Sequence, residues 1–349
     1  MNTSRPYGYL WTGQSACFDA DGAEIPCPGS GQDAEFRLGR AWPAPRFKEE
    51  PAGCVLDRLS GLTWTLDANP GELPMTWAEA LDLAAAMNRE RAFGFADWRL
   101  PNRPELRSLI CHQSRKPPLP QRHPFRGLMQ TWYWTSTSAA INPDHAWYVN
   151  MAGGRMFFGR KDESFLVWCV RGDGNGAIPA SGQEACFDAV GAPIPCSGTG
   201  PGTGQDGETK HGRAWPTPRF EDRPPGVLDR LTGLLWRQTA DFTGGPVHWP
   251  EALAAVADMG RRNDDNNCWR LPNINELESL VDCSAHSPAL AAGYPFGALH
   301  DVYWSSTTSF FEPDWAWALY LNKGAIGVGR KAGALFHVWA VSEPTLTVM

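Results

Sequence analysis

The sequence predicts an α+β protein built from two copies of one domain, each with two short helices and mostly antiparallel strands. Three observations carry this. A set of motifs occurs twice along the chain at nearly constant spacing. Each copy holds two stretches of helical periodicity, three of the four opened by a capping box and the fourth by an early Pro. Short runs rich in aromatic and β-branched residues follow the helices, bounded by Gly and Pro. A length of 349 residues suits two domains.

The repeat is read first, because it sets the domain organisation. Gly13-Gln-Ser-Ala-Cys-Phe-Asp-Ala returns as Gly182-Gln-Glu-Ala-Cys-Phe-Asp-Ala. Ala41-Trp-Pro-Ala-Pro-Arg-Phe returns at Ala214, and Val55-Leu-Asp-Arg-Leu-Ser-Gly-Leu-Thr-Trp returns at Val227. Trp98-Arg-Leu-Pro-Asn returns at Trp269, and Tyr133-Trp-Thr-Ser-Thr returns as Tyr303-Trp-Ser-Ser-Thr. The offsets stay between 169 and 173 residues, so both copies are complete and domain-sized. Between them Gly172-Asp-Gly-Asn-Gly-Ala-Ile-Pro-Ala-Ser181 reads as a linker. The expected division is a first repeat over 1–171, a linker over 172–181 and a second repeat over 182–349.

Within one copy, irregular Gly/Pro-rich chain runs to about Phe47. Val55-Leu-Asp and Leu62-Thr-Trp, joined through Leu-Ser-Gly, predict a hairpin. Asp57 and Asp229 sit where an Asp side chain holds turn N–H groups. Thr76 and Glu79 form a capping box, and Trp77, Ala80, Leu81 and Ala84 share one helical face. The second copy keeps Trp249, Ala252, Leu253 and Val256, with Pro250 early in the helix, where it is tolerated. Asn102 and Glu105 open a second short helix with Leu106, Leu109 and Ile110 inward; Asn273 and Glu276 repeat it. Strands are expected near 133–137, 146–151, 156–160 and 165–171.

These residues resemble the Lcl C-terminal domain family of bacterial collagen-like adhesins. The match is carried by Leu59-Ser-Gly-Leu-Thr-Trp64, Thr76-Trp77, Asp97-Trp-Arg-Leu-Pro-Asn102, Glu105-Leu106, Tyr133-Trp-Thr-Ser-Thr137, Ala146-Trp147 and Val170-Arg171. Their second-copy counterparts run from Leu231 to Trp317. The Arg-Leu-Pro-Asn segment is also similar to one in formylglycine-generating-enzyme-like domains. The resemblance implies a C-type-lectin-like fold for each copy, with roles in adhesion and polysaccharide binding. The second copy departs at its end, where Trp339-Ala-Val-Ser342 replaces Trp168-Cys-Val-Arg171, which puts the pairing made by that Arg in doubt there.

Composition excludes several classes. A net charge of −7 disfavours a nucleic-acid surface. No apolar run is long enough for a membrane-spanning helix, so no membrane insertion is expected. The opening residues Met1 to Tyr9 lack the apolar core of a signal peptide. Nine cysteines leave at least one unpaired. Cys17 with Cys27 and Cys186 with Cys196 recur as pairs around short loops, where a disulfide would staple a segment poor in core. Cys268 with Cys283 and Cys111 with Cys169 are further candidate pairs. The paired cysteines and the family point to an extracellular, cell-surface or periplasmic location.

No zinc-type Cys/His spacing is present; His112 and His123 read as solvated loop histidines, so no metal and no cofactor are expected. Asp264-Asp265-Asn266-Asn267 reads as a solvated loop before a calcium site. Ser136 and Thr137 lack a recurring His or Asp, Glu105 and Glu276 are explained as caps, and Arg99 and Arg270 as internal pairs. An enzyme of the oxidase type lacks its cysteine pair. The expectation is a non-catalytic binding protein whose partner is a glycan or polysaccharide. The alternative is a structural module that binds a surface protein.

The candidate ligand residues lie in the late strands and loops. They are Trp132, Asn142, Asp144, His145, Tyr148, Asn150, Arg155 and Phe158 in the first copy. In the second they are Glu312, Asp314, Trp315, Tyr320, Asn322 and Lys323. Of 17 tryptophans, seven matched pairs read as scaffold, namely Trp42/215, 64/236, 77/249, 98/269, 134/304, 147/317 and 168/339. Trp132 and Trp315 lack partners and lie in the candidate region.

Overall fold

A computed structural model describes residues 7–197, 203–262 and 267–343. The chain forms two compact units. One comprises Trp42–Ala214 with Asp282–His286; the other comprises Met1–Ala41, Trp215–Val281 and Ser287–Met349. This division differs from one placed at residues 172–181. Each unit contains the body of one repeat together with an opening segment. The first body takes the segment that follows it, and the second takes the segment that begins the chain.

Residues 172–181 are therefore packed chain in the first of these units. Ala177 and Ile178 are buried. The Asn175 backbone N–H donates to the Ser60 carbonyl at 2.7 Å, and its side-chain amide donates to the Leu59 carbonyl at 3.1 Å. Gly174 has a φ of +70°, and a Cβ there would lie 2.9 Å from the Ser60 oxygen. Glycine at 174 serves a close approach between chain segments.

In the unit of residues 42–214, a five-stranded antiparallel sheet runs Phe47–Glu50, Cys54–Asp57, Thr63–Thr65, Val170–Arg171, Trp98–Arg99. The expected hairpin is its centre, and Phe47–Glu50 adds a strand just past the irregular opening chain. In the region near 165–171 only Val170–Arg171 forms a ladder, while Phe165 and Leu166 make isolated bridges to Met75 and Tyr133. The helix Trp77–Arg89 opens on the Thr76/Glu79 capping box and buries Trp77, Ala80, Leu81, Ala84 and Met87. The helix Arg103–Ser108 opens on the Asn102/Glu105 box. A second sheet is Trp132–Ser138, His145–Asn150, Met156–Arg160.

The other unit repeats this plan. Its first sheet is Phe220–Arg223, Gly226–Asp229, Leu234–Arg237, Val341–Ser342; its second is Val302–Thr308, Trp315–Tyr320, Ala325–Arg330. The helices are Trp249–Arg262 and Ile274–Ser279. Twelve of the fourteen matched tryptophans are buried, and Trp42 and Trp215 are half-buried. Arg46 lies 4.9 Å from the Trp42 ring centre and Arg219 lies 4.4 Å from that of Trp215.

The opening segments dock in the same way in both units. A bulge interrupts the strand Trp132–Ser138 between Trp134 and Ser138. Past it Ser138 pairs with Ala146, and the Gln183 side-chain amide takes up the Ser138 N–H and carbonyl. Ser138 N–H donates to Gln183 Oε1 at 2.9 Å, and Gln183 Nε2 donates to the Ser138 carbonyl at 2.8 Å. Thr137 Oγ1 donates to Asp206 at 2.6 Å. In the second unit Gln14 bonds the Thr308 backbone at 3.0 and 2.8 Å, and Thr307 donates to Asp33 at 2.7 Å. Each segment carries a two-stranded hairpin closed by a disulfide, Cys17–Cys27 and Cys186–Cys196. Cys54, Cys111, Cys169, Cys268 and Cys283 form no disulfide, so the candidate pairs Cys268/Cys283 and Cys111/Cys169 are not bonded. Cys268 is exposed whereas Cys283 is buried.

Candidate functional site

Several singled-out residues belong to the frame. Arg99 makes a two-pronged pair with Glu105 at 2.6 and 2.7 Å, and Arg270 does the same with Glu276 at 2.7 and 2.5 Å. The same carboxylates cap their helices through the Asn102 and Asn273 N–H groups. Asp57 accepts from Leu59 N–H and Ser60 Oγ and is clasped by Arg46 through two bonds of 2.9 Å. Asp229 and Arg219 repeat this. At the end of the first copy, Arg171 pairs with Asp97 at 2.7 Å. The second copy has Cys268 and Ser342 at those places, so that pairing is absent there, and Ser342 Oγ donates to the Glu343 carbonyl instead. Ser136 and Thr137 are buried; Thr137 meets Asp206, while Ser136 N–H donates to the Pro101 carbonyl at 2.9 Å.

The candidate ligand residues of the first copy fall into two groups at opposite ends of one sheet. Strand register sets them apart. Trp132 opposes Asn150, Trp134 opposes Tyr148, and Tyr148 opposes Phe157, so these side chains share one face. Trp132 and Tyr148 rings lie 4.4 Å apart, and Tyr148 lies 4.8 Å from Phe165. Arg155 closes this end, its carbonyl accepting from Asn150 N–H at 2.8 Å. Phe157 is 43% exposed, while Tyr148 is buried at 9%. Phe158 faces the other side and packs on Trp147 at 5.1 Å.

Asn142, Asp144 and His145 lie at the other end of the His145–Asn150 strand. A six-residue strand spans roughly 17–20 Å, too far for one small-ligand site. The docked hairpin covers this end in part. A Cβ on Gly191 would lie 2.7 Å from the Asp144 backbone nitrogen. Beside it, the buried Lys161 ammonium donates to the Phe187 and Asp188 carbonyls at 3.2 and 3.1 Å and lies 4.1 Å from the Trp77 ring centre. Burial pulls the Lys161 pKa down to about 7, opposed by the Asp188 and Asp144 carboxylates. Asp144 itself pairs with His145 at 2.8 Å, which holds its pKa below the usual value.

The second copy keeps this scheme with other side chains. Trp315 occupies the place of His145, so Trp132 and Trp315 lie at opposite ends of corresponding sheets. Glu312 and Asp314 sit with Trp315 at the loop end, and Asp314 pairs with Arg330 at 3.5 Å. A Cβ on Gly22 would lie 2.9 Å from Asp314 N, so the first hairpin covers this loop as Gly191 covers its counterpart. Tyr320, Asn322 and Lys323 form the far end. The Tyr320 ring lies over Gly327, where a Cβ would come within 2.7 Å. Asn322 donates to Asp301, and Lys323 is exposed.

Asp264, Asp265 and Asn266 lie outside the described residues; Asn267 is buried. His112 is not the solvated loop histidine expected: it is buried, and desolvation lowers its pKa well below the ordinary value, whereas His123 stacks on Phe125 at 5.9 Å. A cluster not anticipated from sequence gathers Asp241, His300 and His337. Its members are far apart in the chain, and no spacing pattern connects them.

The family model described as the Lcl C-terminal domain matches residues 53–171 and 226–342. A search of curated proteins finds no match to the chain. Among the described residues, no helix is long and apolar enough to cross a membrane.

Proposed function

Given that the chain belongs to the Lcl C-terminal domain family, in two copies, we propose that it is a non-catalytic glycan-binding protein. The observation that carries this reading is the aromatic row Trp132, Tyr148 and Phe157 on one sheet face, flanked by Asn150 and Arg155. Pyranose rings bind by laying C–H faces on aromatic rings while amides and guanidinium groups take the hydroxyls. Here a half-buried indole and an exposed phenyl ring supply the platform. An amide and a cation stand at its rim. The opposite loop end is narrowed by the docked hairpin and its charges are paired, so it is the poorer receptor. The two disulfides favour an oxidising compartment, at the cell surface or in the periplasm.

The test is a glycan array with the full chain, followed by titration of the best hit. Trp132→Ala and Phe157→Ala are each expected to weaken it about tenfold, the worth of one stacked ring. Trp315→Ala should leave it unchanged. Absence of any glycan hit refutes the reading, and so does loss of affinity confined to Trp315→Ala.

A further inference from the structure

We propose that Asp241, His300 and His337 form a binding site for a divalent transition-metal ion, with zinc the best-suited metal. Two imidazoles and one carboxylate are a donor set that zinc accepts in tetrahedral geometry with the fourth position open. His300 Nε2 lies 3.2 Å from one Asp241 oxygen, and His337 Nδ1 lies 3.3 Å from the other. A charge-assisted hydrogen bond draws such atoms to about 2.7–2.9 Å. The edge of a tetrahedron around zinc, with bonds of about 2.0–2.1 Å, is roughly 3.3 Å. Both separations lie near that edge, each to a different Asp241 oxygen; one donor atom from each residue comes within 4.8 Å of the others, so closing on one ion needs one ring to turn.

The backbone holds all three donors in place. Ala240 N–H donates to the Gly297 carbonyl at 2.9 Å, which fixes the chain before Asp241. Gly245 N–H donates to an Asp241 oxygen at 3.2 Å and orients the carboxylate. His300 N–H donates to Tyr303 Oη at 2.6 Å. His337 is held on both sides, its N–H to Val302 at 3.0 Å and its carbonyl from Trp304 at 3.1 Å. The two rings stack with centres 3.6 Å apart and planes within 3°. Parallel rings aim their lone pairs side by side, so a metal must splay them. His300, with 35% of its side chain exposed against 18% for His337, is the ring free to turn.

The first copy supplies an internal contrast. Ala68 N–H donates to Arg126 as Ala240 does to Gly297, which equates Asn69 with Asp241. Met129 N–H donates to Tyr133 Oη as His300 does to Tyr303. Leu166 bridges Tyr133 as His337 bridges Tyr303. A neutral amide and two apolar side chains thus stand where the second copy has Asp, His and His. The positions do not require ionisable residues for folding, and only one copy has acquired all three donors.

The test is calorimetric titration of the full chain with zinc chloride, and with cobalt(II) followed by absorption. The expected result is one equivalent bound at micromolar Kd or tighter, with cobalt bands of a tetrahedral nitrogen–oxygen site. His300→Met, His337→Leu and Asp241→Asn, the first-copy residues, should each weaken zinc at least about 100-fold. Far-ultraviolet dichroism checks their fold, and half-exposed His300→Met reports even if His337→Leu misfolds. Zinc weaker than millimolar, unchanged affinity in His300→Met, or thiolate-to-cobalt bands from the cysteines outside disulfides would each overturn the proposal.

Discussion

The chain's first segment completes its last body, so removing residues 1–41 should unfold one unit and spare the other. The magnitude follows from what the segment contributes. Without Gln14, the Thr308 N–H and carbonyl lose their partners at a strand bulge, at about 1–3 kcal/mol each. Lys331 is buried and donates to the Phe18 and Asp19 carbonyls at 3.0 and 2.9 Å, two charged bonds of about 1.5–3 kcal/mol each. Phe18 is buried at 6%, worth about 2 kcal/mol. Together these reach about 10 kcal/mol, comparable with the whole stability of a domain, about 5–15 kcal/mol. The fragment 42–214 lacks none of the equivalent contacts. Expressed alone, 42–214 should give dispersed amide NMR signals and a cooperative melt. The fragment 215–349 should give neither until a peptide of residues 1–41 is added. A cooperative melt from 215–349 by itself, or an unfolded 42–214, would refute the reasoning.

Two further predictions concern buried charges. Arg99→Ala leaves the buried Glu105 carboxylate without its two-pronged partner and should cost about 3–5 kcal/mol in denaturant unfolding of the full chain. Burial pushes the Asp33 carboxyl up from 3.8 to about 7, so the folded unit keeps a proton that the unfolded chain has lost. Its stabilising contribution is complete below pH 3.8 and is lost as pH rises to about 7, up to about 4 kcal/mol. Asp33→Asn removes that dependence, so the variant should gain on the wild type between pH 4 and pH 7.5 in urea unfolding. Comparison of the two chains cancels Lys331, whose depressed pKa acts in the opposite sense above pH 7.

What could be read from sequence was local or doubled. Thr76/Glu79 and Asn102/Glu105 are legible because a capping box is a contact across three residues. The Trp frame is legible because seven pairs recur in register. The unit boundary was not, for a physical reason. A repeat of fixed period is unchanged by a circular shift, so Gln14 and Gln183 return at the same offset whichever body they dock on. Only the tertiary bonds to Thr308 and Ser138 choose the phase. Strand alternation likewise puts Trp132 with Trp134, and Tyr148 with Asn150, on common faces, but does not say that the register brings the two pairs together or that Gly191 presses on Asp144 at the other end. Asp241, His300 and His337 left no trace because their contact is tertiary and confined to one copy.

Comparison of the two units bears on the proposed binding face itself. The docking residues Gln14/Gln183, Asp33/Asp206 and Lys331/Lys161 are the same in both, while the aromatic row is not. The strand registers place Ala318 where the first copy has Tyr148, Tyr320 for Asn150 and Gly327 for Phe157. Gly327 is not a backbone requirement, since its φ is not positive; it is a space requirement, imposed by the Tyr320 ring. Gly327→Phe alone should therefore destabilise its unit by about 1–3 kcal/mol, the usual cost of overpacking. Adding Tyr320→Asn, the first-copy residue, should remove most of that cost, because the ring that fills the space is gone. A double-mutant cycle in urea measures the coupling. Additive costs would mean that Tyr320 does not exclude a side chain at 327, and that the loss of the aromatic row in this unit has another cause.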